Sequence, residues 1–128
     1  MPEWDSYKAE AKARGSLAFE LYVVQSAPAK SPEDLKAVLP DHLAYQRTLE
    51  DTGTLVLAGP LSDDSGTQMQ GTGLIVYRAA SFESARDIAM RDPMHLTGAR
   101  TFTLRKWMIN EGNLTLTVGL SAQTVKLA

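Results

Sequence analysis

Leu17-Ala18-Phe19-Glu20-Leu21-Tyr22-Val23-Val24 is the stretch from which the fold can be read. Leu17, Phe19, Leu21 and Val23 alternate with Ala18, Glu20, Tyr22 and Val24, the period of two that marks a strand apolar on one face and mixed on the other. Shortly afterwards Ser31-Pro32-Glu33-Asp34 joins a capping hydroxyl, a proline at the first helical position and acids in the first turn. A strand therefore feeds directly into a helix. Pro40 has no N–H to donate and is expected to interrupt that helix, which resumes from Asp41 with His42, Tyr45 and Leu49 on one face and stops at Gly53.

Working outward, Leu55-Val56-Leu57-Ala58 predicts a short second strand closed by Gly59-Pro60, and Gly73 to Tyr77 a third, the two forming a hairpin. Ser81 caps a second helix whose stripe of Phe82, Ala85, Ile88 and Ala89 runs out before Asp92-Pro93. Phe102, Leu104 and Met108 alternate with Thr101, Thr103, Arg105 and Trp107 as a fourth strand, and Leu114 to Val118 is a fifth candidate before a loose tail. Upstream, Trp4, Tyr7 and Ala11 give a short amphipathic helix ended by Gly15.

The order is β-α-β-β-α-β with an N-terminal helix and one added strand, which predicts an α+β, ferredoxin-like antiparallel sheet with two helices on one face. The other face is expected to carry Glu20, Tyr22, Val24, Thr103, Arg105 and Trp107, with Arg105 paired to Glu20. Such a mixture is too apolar for water and too polar for a plain core, so a homodimer is expected to cover it.

A chain of 128 residues suits one domain, here residues 1–128 with a helix at 1–16, a core at 17–109 and an extension at 110–128. Hydrophobic residues at 44% and charged residues at 22% fit neither a disordered nor a fibrous chain. A net charge of −2 without a basic cluster speaks against nucleic acid as a partner. No stretch approaches eighteen apolar residues and the polar start lacks a leader pattern, so no membrane role is expected. The absence of cysteine removes disulfides and thiolate chemistry, fits a reducing cytoplasm and leaves zinc only histidine and carboxylate ligands. No metal and no cofactor are expected.

None of the strong catalytic signatures is present, so acid–base work near neutral pH falls first on the two histidines. His42 lies on the inward stripe of its helix, where an imidazole needs partners, and is either a satisfied core residue or a functional one. Asp92 reads as the cap of a short turn opening at Pro93, and His95 as a surface or loop-packing residue. Gly59-Pro60 is either a plain chain reversal or a place where backbone meets an anion or carbonyl. Ser62 and Ser65 are turn formers before they are nucleophiles, and Asp63-Asp64 is a solvated loop.

Taken in order, Asp41-His42-Leu43-Ala44-Tyr45, Gly53 through Leu61, Ser81 through Ala85 and Asp92-Pro93-Met94 resemble the YciI-like, or YCII-related, family, from about Leu17 to Trp107. The segment Trp107 to Gly112 is similar to a subgroup with a C-terminal extension. The resemblance implies a dimeric α+β barrel assembly and a His/Asp-centred site, which falls here on His42 and Asp92. One branch includes a dehydrochlorinase acting on a chlorinated hydroxyquinol, so the chemistry implied is proton abstraction with elimination. On that reading the chain is a lyase or isomerase for a small molecule, with His42 as base, Asp92 as its orienter, and Tyr22, Gly59, Pro60 and Ser62 about the ligand. The alternative is a non-catalytic dimeric binding or regulatory domain.

Overall fold

The computed structural model describes residues 1–127 and divides into two compact units, Glu20–Trp107 and the remainder. The strand read from Leu17 onward starts slightly later and runs further, as β1 (Phe19–Pro28). It is followed by α2 (Pro32–Asp51), β2 (Leu55–Ser62), β3 (Met69–Tyr77), α3 (Phe82–Arg91), α4 (Pro93–Leu96) and β4 (Arg100–Ile109), after an N-terminal α1 (Trp4–Ala13). The four strands form one sheet in the order β2-β3-β1-β4, with β3 antiparallel to both β1 and β2. This is the expected α+β architecture.

The sequence signals act locally as expected. The Ser31 hydroxyl accepts from the Asp34 N–H at 3.2 Å and Pro32 opens α2. Ser81 does the same for α3 through the Ser84 N–H at 3.0 Å. Pro40, in contrast, does not break the helix: α2 runs through it, because one missing donor is a smaller loss than the second nucleation that a severed helix would require. Strand β2 likewise continues past Gly59-Pro60 to Ser62, with register irregularities between Leu55 and Leu57 and between Pro60 and Ser62 absorbing the strain.

On β1 the two faces are the reverse of the sequence reading, whereas on β4 Thr103, Arg105 and Trp107 lie away from the helices as expected. Tyr22, Val24, Ile75, Tyr77 and Leu104 pack beneath the helices with Leu49 of α2 and Ala85 and Ala89 of α3. Alternation then turns Val23, Val76 and Leu57 outward, with Thr103, Arg105 and Trp107. Glu20 shares the face of Tyr22, so alternation separates it from Arg105. Both residue sets of β1 are apolar, and periodicity alone cannot say which one meets the helices. The outward face still holds large apolar side chains in water, Leu57 at 60% and Trp107 at 46% exposure.

In the other unit, α1 ends at Arg14 before Gly15, whose φ of +90° a glycine adopts without strain. The Leu17 N–H reaches the Asn110 carbonyl at 3.1 Å and the Ala18 N–H the Asn110 side-chain oxygen at 3.2 Å. The fifth strand candidate is β5 (Leu116–Gly119), and the expected loose tail contains its antiparallel partner β6 (Thr124–Leu127); the pair forms a separate two-stranded sheet. No helix among the described residues is long and apolar enough to cross a membrane.

Candidate active site

Asp92 ends α3 because a residue before proline is pushed out of the helical region, and its ψ of 125° turns the chain. That turn opens α4: the Asp92 carboxylate accepts from the Met94 N–H at 2.9 Å, and its carbonyl accepts from His95 and Leu96. The cap predicted from Asp92-Pro93 is therefore present. It is not the whole role of the residue. The same carboxylate accepts from His42 Nδ1, at 2.8 Å and 2.9 Å to its two oxygens, with Asp92 fully buried and the His42 side chain 18% exposed.

The partner fixes the state of the ring. An ionised carboxylate offers no proton, so Nδ1 must carry the hydrogen, and the neutral imidazole then has its lone pair on Nε2. Among the described residues Nε2 has no hydrogen-bond partner. One nitrogen is held by a buried anion and the other is left to meet something from outside. A turn further along α2, the Tyr45 hydroxyl donates to the Ile88 carbonyl at 2.6 Å, tying the helix that carries His42 to the helix that ends at Asp92. Burial raises the Tyr45 pKa, with Asp92 adding to the rise and Arg91 opposing it, so the phenol stays a donor. Tyr77 lies fully buried in the core with its hydroxyl unpartnered, and burial raises its pKa strongly, helped by Asp92 and Tyr45.

Of the two readings of His95, surface or loop-packing, the structure bears out packing, although on the short helix α4 and not in a loop. His95 is buried, with its ring 4.6 Å from that of Phe102. Its Nδ1–H donates to the Ala89 carbonyl at 2.7 Å, so in the neutral ring Nε2 accepts from the Ser26 hydroxyl at 2.8 Å. Arg100 Nε donates to the same Ser26 oxygen at 2.8 Å, and its Nη2 donates to the carbonyls of Ser26 and Gly71. Burial lowers the His95 pKa, outweighing the bond to Ala89 and the nearby Asp92. The sequence carried one usable signal for this network: Ser26 shares the parity of Tyr22 and Val24 and so had to find polar partners if that face was the core.

The other predicted site residues are dispersed. Tyr22 sits in the core against Phe82, ring centroids 6.4 Å apart, and burial raises its pKa, with Glu20 adding to it. Gly59 pairs with Leu74 in the sheet, and a Cβ added there would meet nothing within 4 Å, whereas across the hairpin a Cβ on Gly73 would come within 3.3 Å of the Gly59 carbonyl. Pro60 and Ser62 line a shallow cleft of about 280 Å³ at the hairpin end with Leu61, Gly66, Thr67, Gln68 and Met69. Ser62 donates to the Asp63 carbonyl at 2.9 Å, and Ser65 bonds to Asp63, which lowers that carboxyl's pKa. These are turn contacts. No hydrogen bond or ion pair among the described residues joins Gly59, Pro60 or Ser62 to His42 or Asp92. No group of three or more histidines and carboxylates among the described residues is placed to hold a metal ion.

With this geometry in place, comparison with known families finds that the YCII-related domain matches residues 18–108. The chain belongs to the YCII-related family. Its matched region holds β1 through β4 and both histidines. Among solved structures, it is similar to 5-chloro-2-hydroxyhydroquinone dehydrochlorinase from Burkholderia phenoliruptrix AC1100, in complex with 2,5-dihydroxybenzoquinone. The TM-score is 0.50 at 18% identity, over 68% of this chain and 92% of that one, a likeness of fold. Functionally curated proteins give no significant match.

Proposed function

We propose that this YCII-related protein is a small-molecule lyase or isomerase in which His42 is the general base and Asp92 orients it. The observation that carries the reading is the asymmetry of the His42 ring: Nδ1 bound to a fully buried carboxylate, Nε2 unpartnered in a side chain that reaches solvent. A base with one nitrogen oriented is the arrangement that proton abstraction requires. Nε2 takes a proton from a C–H or O–H of a hydroxylated ring or carbonyl compound. The electron pair released moves into a new double bond, and in the elimination case chloride departs with the C–Cl pair. Asp92 holds the resulting imidazolium, which gives its proton to solvent after an elimination or to a second atom of the substrate in an isomerisation.

The ligand of the structural neighbour, a dihydroxybenzoquinone, makes chlorinated hydroquinols the first substrates to test. Chloride release from 5-chloro-2-hydroxyhydroquinone, run beside isomerase and hydrolase panels, is expected for the wild type and lost in His42→Ala. Equal rates in the two proteins would defeat the proposal, and ligand binding without turnover in every panel would favour the binding-domain reading.

The assembly proposed is a homodimer through the outward sheet face, in the cytoplasm that a cysteine-free chain suits. Its support is the set of exposed apolar side chains on a sheet whose other face is already covered by helices. Light scattering should give twice the chain mass, falling to one chain in Leu57→Lys; a monodisperse wild-type monomer at micromolar concentration would refute it.

A further inference from the structure

Asp92 can orient His42 only if the turn that carries it is itself immobile, and the backbone bonds of a four-residue helix do little to ensure that. The structure supplies a second restraint from the opposite side. His95 leaves the same turn and is fixed at both ring nitrogens, by the Ala89 carbonyl at 2.7 Å and by Ser26 at 2.8 Å. Ser26 stands on β1, and Arg100 on β4 grips both its hydroxyl, at 2.8 Å, and its carbonyl, at 2.9 Å, while also reaching the Gly71 carbonyl on β3. Every link is a defined donor and acceptor: Arg100 N–H to Ser26 Oγ, Ser26 O–H to His95 Nε2, His95 Nδ1–H to Ala89 O. Ser26 and His95 are buried, so the bond between them is shielded from water, while Arg100 is partly exposed.

We infer that Ser26, His95 and Arg100 are positioning residues for the His42–Asp92 pair, pinning the Asp92 turn to three strands so that its carboxylate holds one histidine tautomer. His95 is thus no second base. Both its nitrogens are committed, and it acts on His42 through the turn they share. For its kinetic consequence the inference rests on the proposed role of His42; for its structural consequence it does not.

Two readouts separate these. Nitrogen-15 NMR of the full chain reports which His42 nitrogen carries the proton, and turnover in the chloride-release assay reports the chemistry. The variants are Ser26→Ala, His95→Gln and Arg100→Lys, the last at a partly exposed position where folding is safest. In the wild type His42 should be protonated on Nδ1 alone. Each variant should convert it to a mixture of tautomers and lower kcat by about 10²-fold with KM little changed, the scale expected when a group is misplaced by about an ångström. Ser26→Thr, which keeps the hydroxyl, should restore the single tautomer. A wild type with fixed tautomer but no turnover, with the tautomer lost in the variants, supports this inference and sinks the catalytic one. A His42 tautomer unchanged in Arg100→Lys, whatever the melting temperature or the fate of the buried variants, overturns the positioning role.

Discussion

The two histidines lie on either side of one turn and share a neighbour in Asp92, yet they are built to opposite ends. His42 spends one nitrogen on a buried carboxylate and among the described residues keeps the other unpartnered, whereas His95 is bonded at both and packed, at a tilt, against Phe102. A saturated, desolvated imidazole is a structural element, and one with a free, oriented nitrogen is a reagent. On the proposed reading, neither burial nor a carboxylate nearby picks out the reactive histidine; the count of uncommitted nitrogens does.

The sharpest way to break the contrast is to remove each ring in turn. His42→Ala should cost about 10²- to 10⁴-fold in turnover, the usual worth of a general base, and some stability, because it takes the imidazole from the buried Asp92 carboxylate. His95→Ala should fall chiefly on folding stability, with a smaller loss of turnover through the loosened Asp92 turn. It leaves the buried Ser26 O–H without an acceptor, at about 1–3 kcal/mol, while the Ser26 oxygen keeps Arg100 and the Ala89 carbonyl keeps the Asp92 N–H at 3.3 Å. Kinetics and thermal melts on the pair decide it, and stability loss confined to His42→Ala would invert the assignment.

Asp92 serves both regions, so its variants sharpen the comparison next. Asp92→Asn retains an oxygen to cap α4 and should fold, while losing the anion that stabilises an imidazolium. Asp92→Ala should lose the cap as well, about 0.5–2 kcal/mol beyond the Asn variant in urea denaturation. Wild-type turnover in Asp92→Asn would reduce the carboxylate to a cap.

A smaller effect comes from pH. Burial lowers the folded-state pKa of His95 below its ordinary value of 6.5, so under acid the unfolded chain binds a proton that the folded chain resists. The contribution is fully present above pH 6.5 and is lost as pH falls below that value toward the folded pKa. Unfolding free energies measured from pH 8 to pH 5 should therefore decline below about pH 6.5, and less steeply in His95→Gln, which has nothing to protonate. An identical decline in both proteins would place the proton elsewhere. Smallest of all, Tyr45→Phe removes one hydrogen bond to the Ile88 carbonyl and should lower stability by about 1 kcal/mol.

Much of this was legible in the sequence, and the reasons for the remainder are specific. Capping serines, proline positions and hydrophobic periods are local and placed α2, α3 and the four strands, because each signal acts within one turn or one strand. His42 stood out as an imidazole on an apolar stripe, and Asp92 as a cap. Which face of β1 meets the helices was not legible, since Leu21 and Tyr22 are equally fit for burial and only tertiary packing chooses. That error carried Tyr22 into the ligand site and hid Ser26. His95 was left between surface and packing for a related reason: a histidine after Asp-Pro looks like loop surface until the strand opposite supplies a hydroxyl to bind it. Gly59, Pro60 and Ser62 formed a recognisable motif, but one explained by a hairpin and its turn.

The central claim, that His42 is the reagent and His95 the strut, is tested most directly by diethyl pyrocarbonate, which acylates an accessible neutral imidazole nitrogen. Mapping the modified residue by mass spectrometry while following turnover should find one fast-reacting histidine, His42, with activity falling in step and His95 unmodified until the chain is denatured. Rapid modification of His95 in the native protein, or full activity after His42 is modified, would contradict the account.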